Sequence, residues 1–501
     1  MTTPVDATIT NLAEHVGRTV RLRGWVYGLR KSGKVAFLEL RDGTGICQCI
    51  IEAAAPAAFE AVGPLTQESS VELTGVVEPE PRAPGGHEVA VMTLTPLHIA
   101  AEYPITRKAH GLDFLFSHRH LWFRSRRPTA ILRVRHTLIR ACREFFDGRG
   151  FTLVDTPILV PGAGEDTQTL FPVTYFDRPA YLAQTGQLYL EAACMALGKV
   201  YCFGPTFRAE KSKTRRHLTE FWMIEPEIAF ADLGDVMALA EDFVAHLVDR
   251  VLAAHTDDLT VLGRDLEPLR RIRKPFPRMT YDEAVENLRS DATRGRMEAR
   301  LDQARSELAA RRAERDALTG EVQAAKQAWK QDKLRLAIQE IADAIADLER
   351  EVEHAPEHIR LSQSFEWGKD LGGSDESVLS RQFDRPLFVT DYPAGAKAFY
   401  MKCHPGDPRR VRNMDLLAPE GYGEIIGGSQ REDDLEALRR ATLEKGLRPE
   451  DYDWYFDLRR FGSVPHGGFG LGIERTLAWL CGLKHVRETI PYPRTMGKMV
   501  L

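Results

Sequence analysis

The chain has 501 residues, of which 43% are hydrophobic and 28% are charged, so it can bury a large apolar core and is long enough for two or three domains. Its formal net charge at pH 7 is -5, which excludes binding of nucleic acid through bulk positive charge and means that any RNA must be held by local basic patches. The absence of a run of about 18 apolar residues and of a signal-peptide pattern excludes a membrane protein and predicts a cytoplasmic one.

The cysteines predict neither a disulfide framework nor a structural zinc site. There are seven, scattered along the chain, and none forms a CxxC pair. Cys47 and Cys49 alternate with other residues in the run ICQCI. This spacing is typical of two side chains on one face of a strand.

Residues 19–100 read as five short strand-like runs separated by Gly, Ser, Pro and Asp turns. Five strands with little helix between them predict a small Greek-key barrel of the oligonucleotide-binding (OB) fold. We assign residues 1–102 to this barrel and residues 103–125 to a linker. The remainder, 126–501, is predicted to form a second domain.

The second domain is predicted to be α+β. Apolar residues recur at helical spacing from Ile131 to Phe145, and Gly148 and Gly150 follow, which predicts a long amphipathic helix over 130–147. Further along the chain, strand-like runs alternate irregularly with helices. This order favours a domain built around an antiparallel sheet.

Residues 291–356 have a different composition, rich in Ala, Arg, Glu, Leu and Lys. Apolar residues keep a three-four spacing in three runs, which are out of step around Arg311. We predict an antiparallel, coiled-coil-like helical hairpin inserted into the second domain, with a break near Thr319–Gly320 or around Trp329–Lys333. A structural role, a contact with tRNA and a contact with another partner all remain open for it.

Two stretches carry residues suited to nucleotide chemistry. In 203–230 a basic loop lies between two strand-like runs. Phe221, in the second run, could provide a flat face on which a base stacks. Guanidinium groups can grip a triphosphate through several donors. The candidates for this role are Arg208, Arg215, Arg216 and His217. In 467–483 a glycine-rich turn enters a helix that begins with Glu474 and Arg475. Taken singly, each residue is equally consistent with an ordinary surface or core position.

Asp415 and Glu424 lie on two adjoining predicted strands between these stretches. Hard carboxylate oxygens in such a pair could hold Mg²⁺ between phosphates. We therefore predict a magnesium site there.

In this order, the two stretches resemble the second and third signature motifs of class II aminoacyl-tRNA synthetases, with the carboxylates between them as in that class. The runs FRAE, RRHL, TEFW and GxGxER, together with the N-terminal barrel, resemble the aspartyl/asparaginyl branch, and the resemblance covers nearly the whole chain. It implies an enzyme that uses ATP to convert an amino acid to its adenylate. The amino acid would then be esterified to the 3′ end of a tRNA.

The resemblance also implies roles for individual residues. Arg208 and Arg475 would be catalytic, Asp415 and Glu424 would bind magnesium, and Pro157 would lie at the interface of a homodimer. ATP would be bound by Arg208, Glu210, Arg216, His217, Leu218, Phe221, Glu424, Gly472 and Arg475. In the barrel, Arg23, Phe37 and Gln48 would read the tRNA anticodon, with Phe37 stacked on a base.

The implied amino-acid pocket departs from that of aspartyl enzymes. By this resemblance, aspartyl enzymes carry a lysine at the position where this chain has Leu190. Loss of a buried cation weakens binding of an anionic ligand far more than binding of a neutral one. Glu225 would accept from a substrate amide and repel aspartate, and Arg431 would donate to the side-chain carbonyl. Gln187 and Glu165 would bind the α-amino group. These departures predict asparagine as the amino acid and tRNA(Asn) as its acceptor.

Three alternatives stay open. One is an aspartyl enzyme that charges two tRNAs, another is a synthetase paralogue that only binds RNA, and the third is a repurposed core that forms amides. The inserted hairpin is the clearest departure from the family pattern. We expect that removal of residues 292–355 preserves activation of the amino acid.

Overall fold

A computed structural model of the protein describes residues 3–106, 110–165, 167–211 and 215–499. The chain divides into two units, Met1–Lys108 and Ala109–Leu501. Across the described ranges, no helix has both the length and the apolar character needed to cross a membrane.

The first unit is a closed barrel. Its elements are β1 (Val5–Asp6), β2 (Thr19–Ser32), β3 (Val35–Arg41), β4 (Ile46–Glu52), α1 (Pro56–Ala61), β5 (Ser70–Pro79) and β6 (His87–His98). The strand order is β1-β2-β3-β4-β6-β5, and β5 pairs back to β2 to close the barrel. The predicted OB fold and its five strands are confirmed, and the short β1 adds a parallel pairing to β2.

Alternation of side chains explains the barrel core. Residues such as Val20 and Leu38 point inward and are buried, while their neighbours along each strand point outward. Cys47 and Cys49 both lie in this core with their sulfur atoms 3.6 Å apart, as their spacing predicted. All seven cysteines are free thiols.

The second unit contains helices and strands in irregular alternation. Its helices are α2 (Leu112–Ser117), α3 (Arg119–Trp122), α4 (Arg126–Asp147), α5 (Gln187–Leu197), α6 (Leu233–Val261), α7 (Glu267–Arg270), α8 (Tyr281–Arg289), α9 (Asp291–Ala324), α10 (Ala328–Gln363), α11 (Gly373–Ser380), α12 (Leu435–Glu444), α13 (Asp453–Arg460) and α14 (Ile473–Cys481). Its strands are β7 (Thr152–Leu153), β8 (Leu159–Val160), β9 (Pro172–Tyr175), β10 (Arg178–Leu182), β11 (Lys199–Phe207), β12 (Glu220–Ala229), β13 (Arg278–Thr280), β14 (Leu387–Thr390), β15 (Cys403–His404), β16 (Asp407–Val411), β17 (Asn413–Ala418), β18 (Gly423–Gln430), β19 (His466–Gly472), β20 (Arg494–Thr495) and β21 (Lys498–Met499).

The main sheet of this unit has ten strands, in the order β13-β14-β17-β18-β19-β12-β11-β7, with β20 and β21 attached at β12. Its central pairings are antiparallel, and the parallel pairings lie at its two ends, β13 with β14 and β7 with β11. This arrangement confirms the predicted α+β class.

The two faces of the sheet differ because neighbouring residues on a strand point to opposite sides. Ile224 and Ile426 are buried in the apolar core that also contains α4, α6 and α14. Glu225 and Gly427, the next residue in each case, line a cavity on the other face. One face is therefore covered by helices, and the opposite face carries the polar site.

The predicted linker at 103–125 needs correction. Residues 107–109 lie outside the described residues, but the later part of the segment forms α2 and α3 within the second unit. Arg119 on α3 is buried, and its guanidinium donates to the carbonyls of Pro491 (2.9 Å) and Ile490 (3.1 Å). These contacts fix the segment to the C-terminal part of the unit, so it is not a free connection.

Helix α4 ends at Gly148, as predicted, and Gly150 follows with a φ of +76°. The predicted hairpin is formed by α9 and α10, which pack through Leu301, Ala304, Leu308, Ile341, Ile345 and Leu348. Its break lies at 325–327, between the two predicted places. Gly320 stays inside α9, because a single glycine costs a helix only about 1 kcal/mol. Pro356 lies within α10, which continues to Gln363.

Candidate active site

Two adjoining cavities open on the polar face of the main sheet. The larger has a volume of about 480 Å³, and the smaller has a volume of about 80 Å³. They share the lining residues Arg208, Glu210, Met223, Glu424 and Gly470. A molecule that extends from one cavity to the other would therefore pass Arg208 and Glu424.

Arg431 is the buried cation of the larger cavity. It follows β18 directly, and its guanidinium forms an ion pair with Glu227 of β12 and donates to Ser429 Oγ at 2.7 Å. The same group lies over the ring of Tyr400, 5.3 Å from its centre. Burial raises the pKa of Glu227 to about 7, although Arg431 acts in the opposite direction. Sequence reasoning found Arg431 and missed Glu227.

A second buried carboxylate, Glu191 of α5, lies behind this pair. It accepts from Arg459 and Tyr455, each at 2.8 Å, and from Gln187 at 3.0 Å, and His466 lies 3.0 Å away. Burial acts to raise the pKa of Glu191, but the neighbouring cations, Arg459 first, outweigh it and hold that pKa well below its usual range. The network fixes Gln187 on the cavity wall. Sequence reasoning missed Glu191, Tyr455, Arg459 and His466.

Glu225 reaches the same cavity from β12. Its carboxylate accepts from the backbone N–H of Gly186 at 2.9 Å, from Cys202 Sγ at 3.4 Å and from the hydroxyl of Thr185. Burial raises the pKa of Glu225. The structure thus places Glu225 and Arg431 in one cavity, as expected from the sequence.

Glu165 and Gln187 lie on the wall of the same cavity. The hydroxyl of Tyr400 donates to Glu165 at 2.7 Å, and the backbone N–H of Glu165 donates to Gln184 at 3.1 Å. The neighbouring Asp166 lies outside the described residues. Both residues expected to meet an α-amino group therefore face the cavity that contains Arg431.

Leu190 requires a correction. It is fully buried and packs with Cys194, Val200 and Cys202, and it is not among the residues that line the larger cavity. It lies on the side of α5 that packs against Val200 and Cys202 of β11. The prediction that Leu190 lines the amino-acid pocket is therefore wrong. Its consequence for charge is unchanged, because no cation occupies this position.

The smaller cavity combines aromatic, apolar and cationic walls. Its lining includes Phe221, Arg475, Leu218, Gly472 and His217. All five were predicted from the sequence to bind a nucleotide. The structure brings them to one cavity, although they come from segments about 250 residues apart in the chain.

Its charged groups contact one another. The guanidinium of Arg208 lies 5.5 Å from the centre of the Phe221 ring, and His217 Nε2 lies 3.3 Å from Glu210. Arg475 donates to the carbonyl of Glu424 at 3.1 Å and to its carboxylate at 3.2 Å.

Burial, assisted by Arg475, lowers the pKa of His217. A neutral imidazole next to several guanidinium groups leaves the arginines as the fixed positive charges of this cavity. Arg216 also lines it, but its guanidinium donates to the carbonyls of Gly373 (2.7 Å) and Gly421 and to the hydroxyl of Ser377.

Asp415 and Glu424 both line the larger cavity, as predicted, and are joined by Lys397, which sequence reasoning missed. Lys397 Nζ lies 2.9 Å from Asp415 and 3.0 Å from Asp370. Burial and the neighbouring carboxylates raise the pKa of Asp415 to about 7. The sequence marks Lys397 only as a lysine within the mostly apolar run AKAFYM, and such a signal is weak.

The donor set at Asp415 and Glu424 fits Mg²⁺ in the manner that this ion prefers. Magnesium bound with nucleotides typically takes one or two protein carboxylates and completes its shell with phosphate and water. Among the described residues, no group of three or more His, Cys, Asp or Glu side chains could hold a metal by itself. These two carboxylates therefore suit an ion that arrives with a nucleotide.

The predicted anticodon residues lie on the outer surface of the barrel strands. Phe37 on β3 is half-buried, and the guanidinium of Arg30 lies 4.7 Å from its ring centre. Arg23 donates to Glu72 at 2.8 Å, and Gln48 donates to Glu88 at 2.8 Å.

Pro157 is exposed between β7 and β8. The two residues that follow, Ile158 and Leu159, are exposed as well. A run of exposed apolar residues is compatible with the predicted subunit interface.

Comparisons with known proteins agree with this geometry. A family model described as tRNA synthetases class II (D, K and N) matches residues 111–496, and an OB-fold nucleic acid binding domain model matches residues 20–97. The chain is 50% identical over 499 residues to an asparagine–tRNA ligase of Sorangium cellulosum, and the match covers 99% of each chain. It is 48% identical over 498 residues to that of Koribacter versatilis, covering 98% of each.

A solved structure gives the same result. The crystal structure of asparaginyl-tRNA synthetase from Pyrococcus horikoshii complexed with asparaginyl-adenylate superposes with a TM-score of 0.81 at 41% identity, and 99% of each chain is covered. Because the Sorangium match covers 99% of both chains, it extends across the inserted hairpin. The chain belongs to the asparagine–tRNA ligase family of class II aminoacyl-tRNA synthetases.

Proposed function

We propose that the protein uses ATP to convert L-asparagine to asparaginyl-adenylate and pyrophosphate, and then transfers asparagine to the 3′ end of tRNA(Asn). The observation that supports this most directly is the charge of the larger cavity. Arg431 is already paired with Glu227, and Glu225 faces the same space with its pKa raised by burial. A neutral amide fits such a pocket, whereas a second carboxylate would be repelled.

Each end of asparagine has partners in this cavity. Arg431 would donate to the side-chain carbonyl, and Glu225 would accept from the side-chain NH₂. Glu165 and Gln187 would bind the α-ammonium group. Since Glu225 is itself held by Thr185 and Gly186, its position is set before the ligand binds.

ATP would occupy the smaller cavity and extend toward the larger one. Phe221 and Arg475 would enclose the adenine ring, and Glu210 would meet its amino edge. Arg216 and His217 would bind the far phosphates. Arg208, which lines both cavities, would hold the α-phosphate and neutralise the charge that develops there.

The reaction then needs no protein nucleophile. The asparagine carboxylate attacks the α-phosphorus and pyrophosphate leaves, so the protein contributes position and electrostatic stabilisation. Asp415 and Glu424 are the residues that would hold Mg²⁺, which supplies charge neutralisation to the triphosphate when it is bound. Lys397 keeps Asp415 in place through their 2.9 Å contact.

The barrel would bind the anticodon of tRNA(Asn). Phe37 offers a ring for stacking, and Arg23 and Gln48 offer hydrogen-bond donors beside it on the outer surface. We also propose a homodimer through the region of Pro157. We propose a cytoplasmic location, which the free state of all seven cysteines supports.

Amino-acid-dependent exchange of pyrophosphate into ATP tests the proposal. We expect exchange with asparagine and at least about 100-fold less with aspartate at equal concentration, because a charged ligand here lacks a free cation. Equal exchange with both amino acids, followed by charging of two tRNAs, would identify a non-discriminating aspartyl enzyme instead. Exchange with neither would favour an RNA-binding or amide-forming paralogue.

The role of the barrel is tested separately by Phe37→Ala. Stacking on one base contributes about 1–3 kcal/mol, so this variant should lose about tenfold or more in kcat/KM for tRNA while its exchange activity is unchanged. Met92→Ala, which alters an exposed residue of β6, is the matched control. Normal charging by Phe37→Ala would remove Phe37 from the anticodon site.

A further inference from the structure

Asp347 of α10 is a point at which the inserted hairpin contacts the body of the second unit. Its oxygens meet three cations: the guanidinium of Arg215, that of Arg350 at 2.7 Å and Lys484 Nζ at 3.2 Å. Arg350 belongs to the same helix, but Arg215 and Lys484 lie outside the hairpin. The Asp347 side chain is only 23% exposed.

Arg215 is the last residue before the cationic part of the smaller cavity. Its side chain pairs with Asp347, and its backbone carbonyl accepts from the N–H of Val486 at 3.0 Å. The next two residues, Arg216 and His217, both line that cavity. Because successive residues share one backbone, the position of Arg215 sets where Arg216 and His217 begin.

The negative charge of Asp347 is stabilised by its cationic neighbours. Burial acts to raise its pKa, but Arg215 and the other cations outweigh this and lower it. Burial, followed by Arg487, Arg215 and Arg350, lowers the pKa of the neighbouring His485 to about 3, and Asp347 acts in the opposite direction. Asp347 is therefore the carboxylate that holds together a group of positive side chains from three parts of the chain.

We propose that Asp347 is a positioning residue for ATP binding, through which the inserted hairpin holds the basic loop of the nucleotide site in its binding geometry. The proposal rests on the proposed function, since it assumes that the smaller cavity binds ATP. It assigns the hairpin a contribution to the reaction although the described residues of the hairpin do not line either cavity. The larger cavity, which contains Arg431, is not in contact with Asp347 and should be unaffected.

Asp347→Ala tests the proposal in pyrophosphate exchange on the full-length chain. Alanine preserves the helix, so the change removes the carboxylate and little else. We expect the KM for ATP to rise about threefold to tenfold, while the KM for asparagine stays within about twofold. A general loss of structure would change both KM values together.

The matched control is Glu349→Ala. Glu349 lies two positions along the same helix and pairs with Arg312 of α9 at 2.6 Å, so this ion pair lies within the hairpin. It should leave both KM values as in the wild type. An equal rise in the KM for ATP in both variants would show that hairpin stability, and not the contact with Arg215, is responsible, and would overturn the proposal.

Arg215→Gln provides a second route to the same contact. If the contact acts as proposed, this change should raise the KM for ATP by a similar factor, and the double variant should be no worse than either single one. Additive effects would overturn the proposal. If the wild type exchanges pyrophosphate with asparagine but Asp347→Ala leaves the KM for ATP unchanged, the positioning role of Asp347 is refuted and the proposed function is not. If the wild type shows no exchange, the proposed function itself is refuted.

Discussion

The two cavities of the active site are built in opposite ways. In the larger cavity the buried guanidinium of Arg431 is paired with Glu227, and behind this pair Arg459 is paired with Glu191. Arg208, which lines both cavities and faces Phe221 of the smaller one, has a buried Nε that makes no hydrogen bond within the described residues. We call the larger cavity closed, because the charge of Arg431 is matched before a ligand arrives, and the smaller cavity open, because Arg208 on its wall keeps a donor available for a ligand.

This difference suits the two ligands. Asparagine has a neutral side chain, so its pocket can be completed internally and can reject aspartate through charge that is already placed. ATP brings several negative charges, so its pocket needs donors that the protein itself leaves unsatisfied. Selectivity thus lies in the closed cavity, and affinity for anions lies in the open one.

Glu191→Gln is expected to give the largest effect, on the closed side. It removes a wholly buried charge that is shared by Arg459 and His466, and uncompensated buried cations cost about 3–5 kcal/mol. The free energy of unfolding measured in urea should fall by this amount. Glu314→Gln, an exposed carboxylate of α9, is the control and should have little effect. A stable Glu191→Gln protein would show that the network is not needed to complete the cavity.

Arg208→Ala tests the open side. Loss of a group that stabilises charge in the transition state typically lowers the rate by about 10²- to 10³-fold, so kcat for pyrophosphate exchange should fall by that factor. The unfolding free energy should change little, since Arg208 has few partners within the protein. Arg82→Ala, on the exposed surface of the barrel, serves as the control. Retention of most exchange activity would remove Arg208 from the phosphate site.

The contrast between the cavities also explains what the sequence could predict. The residues of the open cavity lie in continuous motifs, 203–230 and 467–483, where basic side chains stand out because they interrupt strand-like runs. The barrel, the antiparallel sheet and the hairpin were equally accessible, because apolar spacing reports secondary structure directly. Their outlines agree with the structure.

The network of the closed cavity could not be predicted in this way. Glu191, Glu227 and Arg459 come from α5, β12 and α13, and each alone resembles an ordinary charged residue of a helix or strand. Only the fold brings Glu191 and Glu227 within 4.0 Å of Arg431, and Arg459 within 2.8 Å of Glu191. The prediction for Leu190 failed for a related reason, because only the packing of α5 against β11 decides that Leu190 lies in the core and not on the cavity wall.

Selectivity for asparagine should depend on pH through the closed cavity. The pKa of Glu227 is raised to about 7, so the folded protein binds this proton as the pH falls through that value. Glu227 then loses its negative charge, and Arg431 becomes free to pair with the carboxylate of aspartate, which remains ionised at these pH values. Discrimination between asparagine and aspartate should therefore weaken.

The ratio of kcat/KM for the two amino acids in pyrophosphate exchange measures this effect. We expect it to fall about threefold or more between about pH 8 and about pH 6. Asp415 also lines the larger cavity, but its proposed role is to hold magnesium, so its titration should affect both amino acids alike and cancel in the ratio. Glu227→Gln should show weak discrimination at both pH values. A ratio that rises as the pH falls would contradict this account of selectivity.

Replacement of the whole hairpin by a short Gly-Ser linker should have the smallest effect on turnover. The ends of the hairpin are adjacent, because Arg289 Nε donates to the carbonyl of Phe365 at 2.6 Å, so residues 291–363 can be removed without separating α8 from the segment that follows. At saturating ATP and asparagine, kcat for exchange should stay within about threefold of the wild type, because the described part of the hairpin lines neither cavity. The KM for ATP should rise as it does in Asp347→Ala, since both changes release Arg215. If the shortened protein did not fold, or if its kcat fell as well, the hairpin would be part of the catalytic core and not only a support for the open cavity.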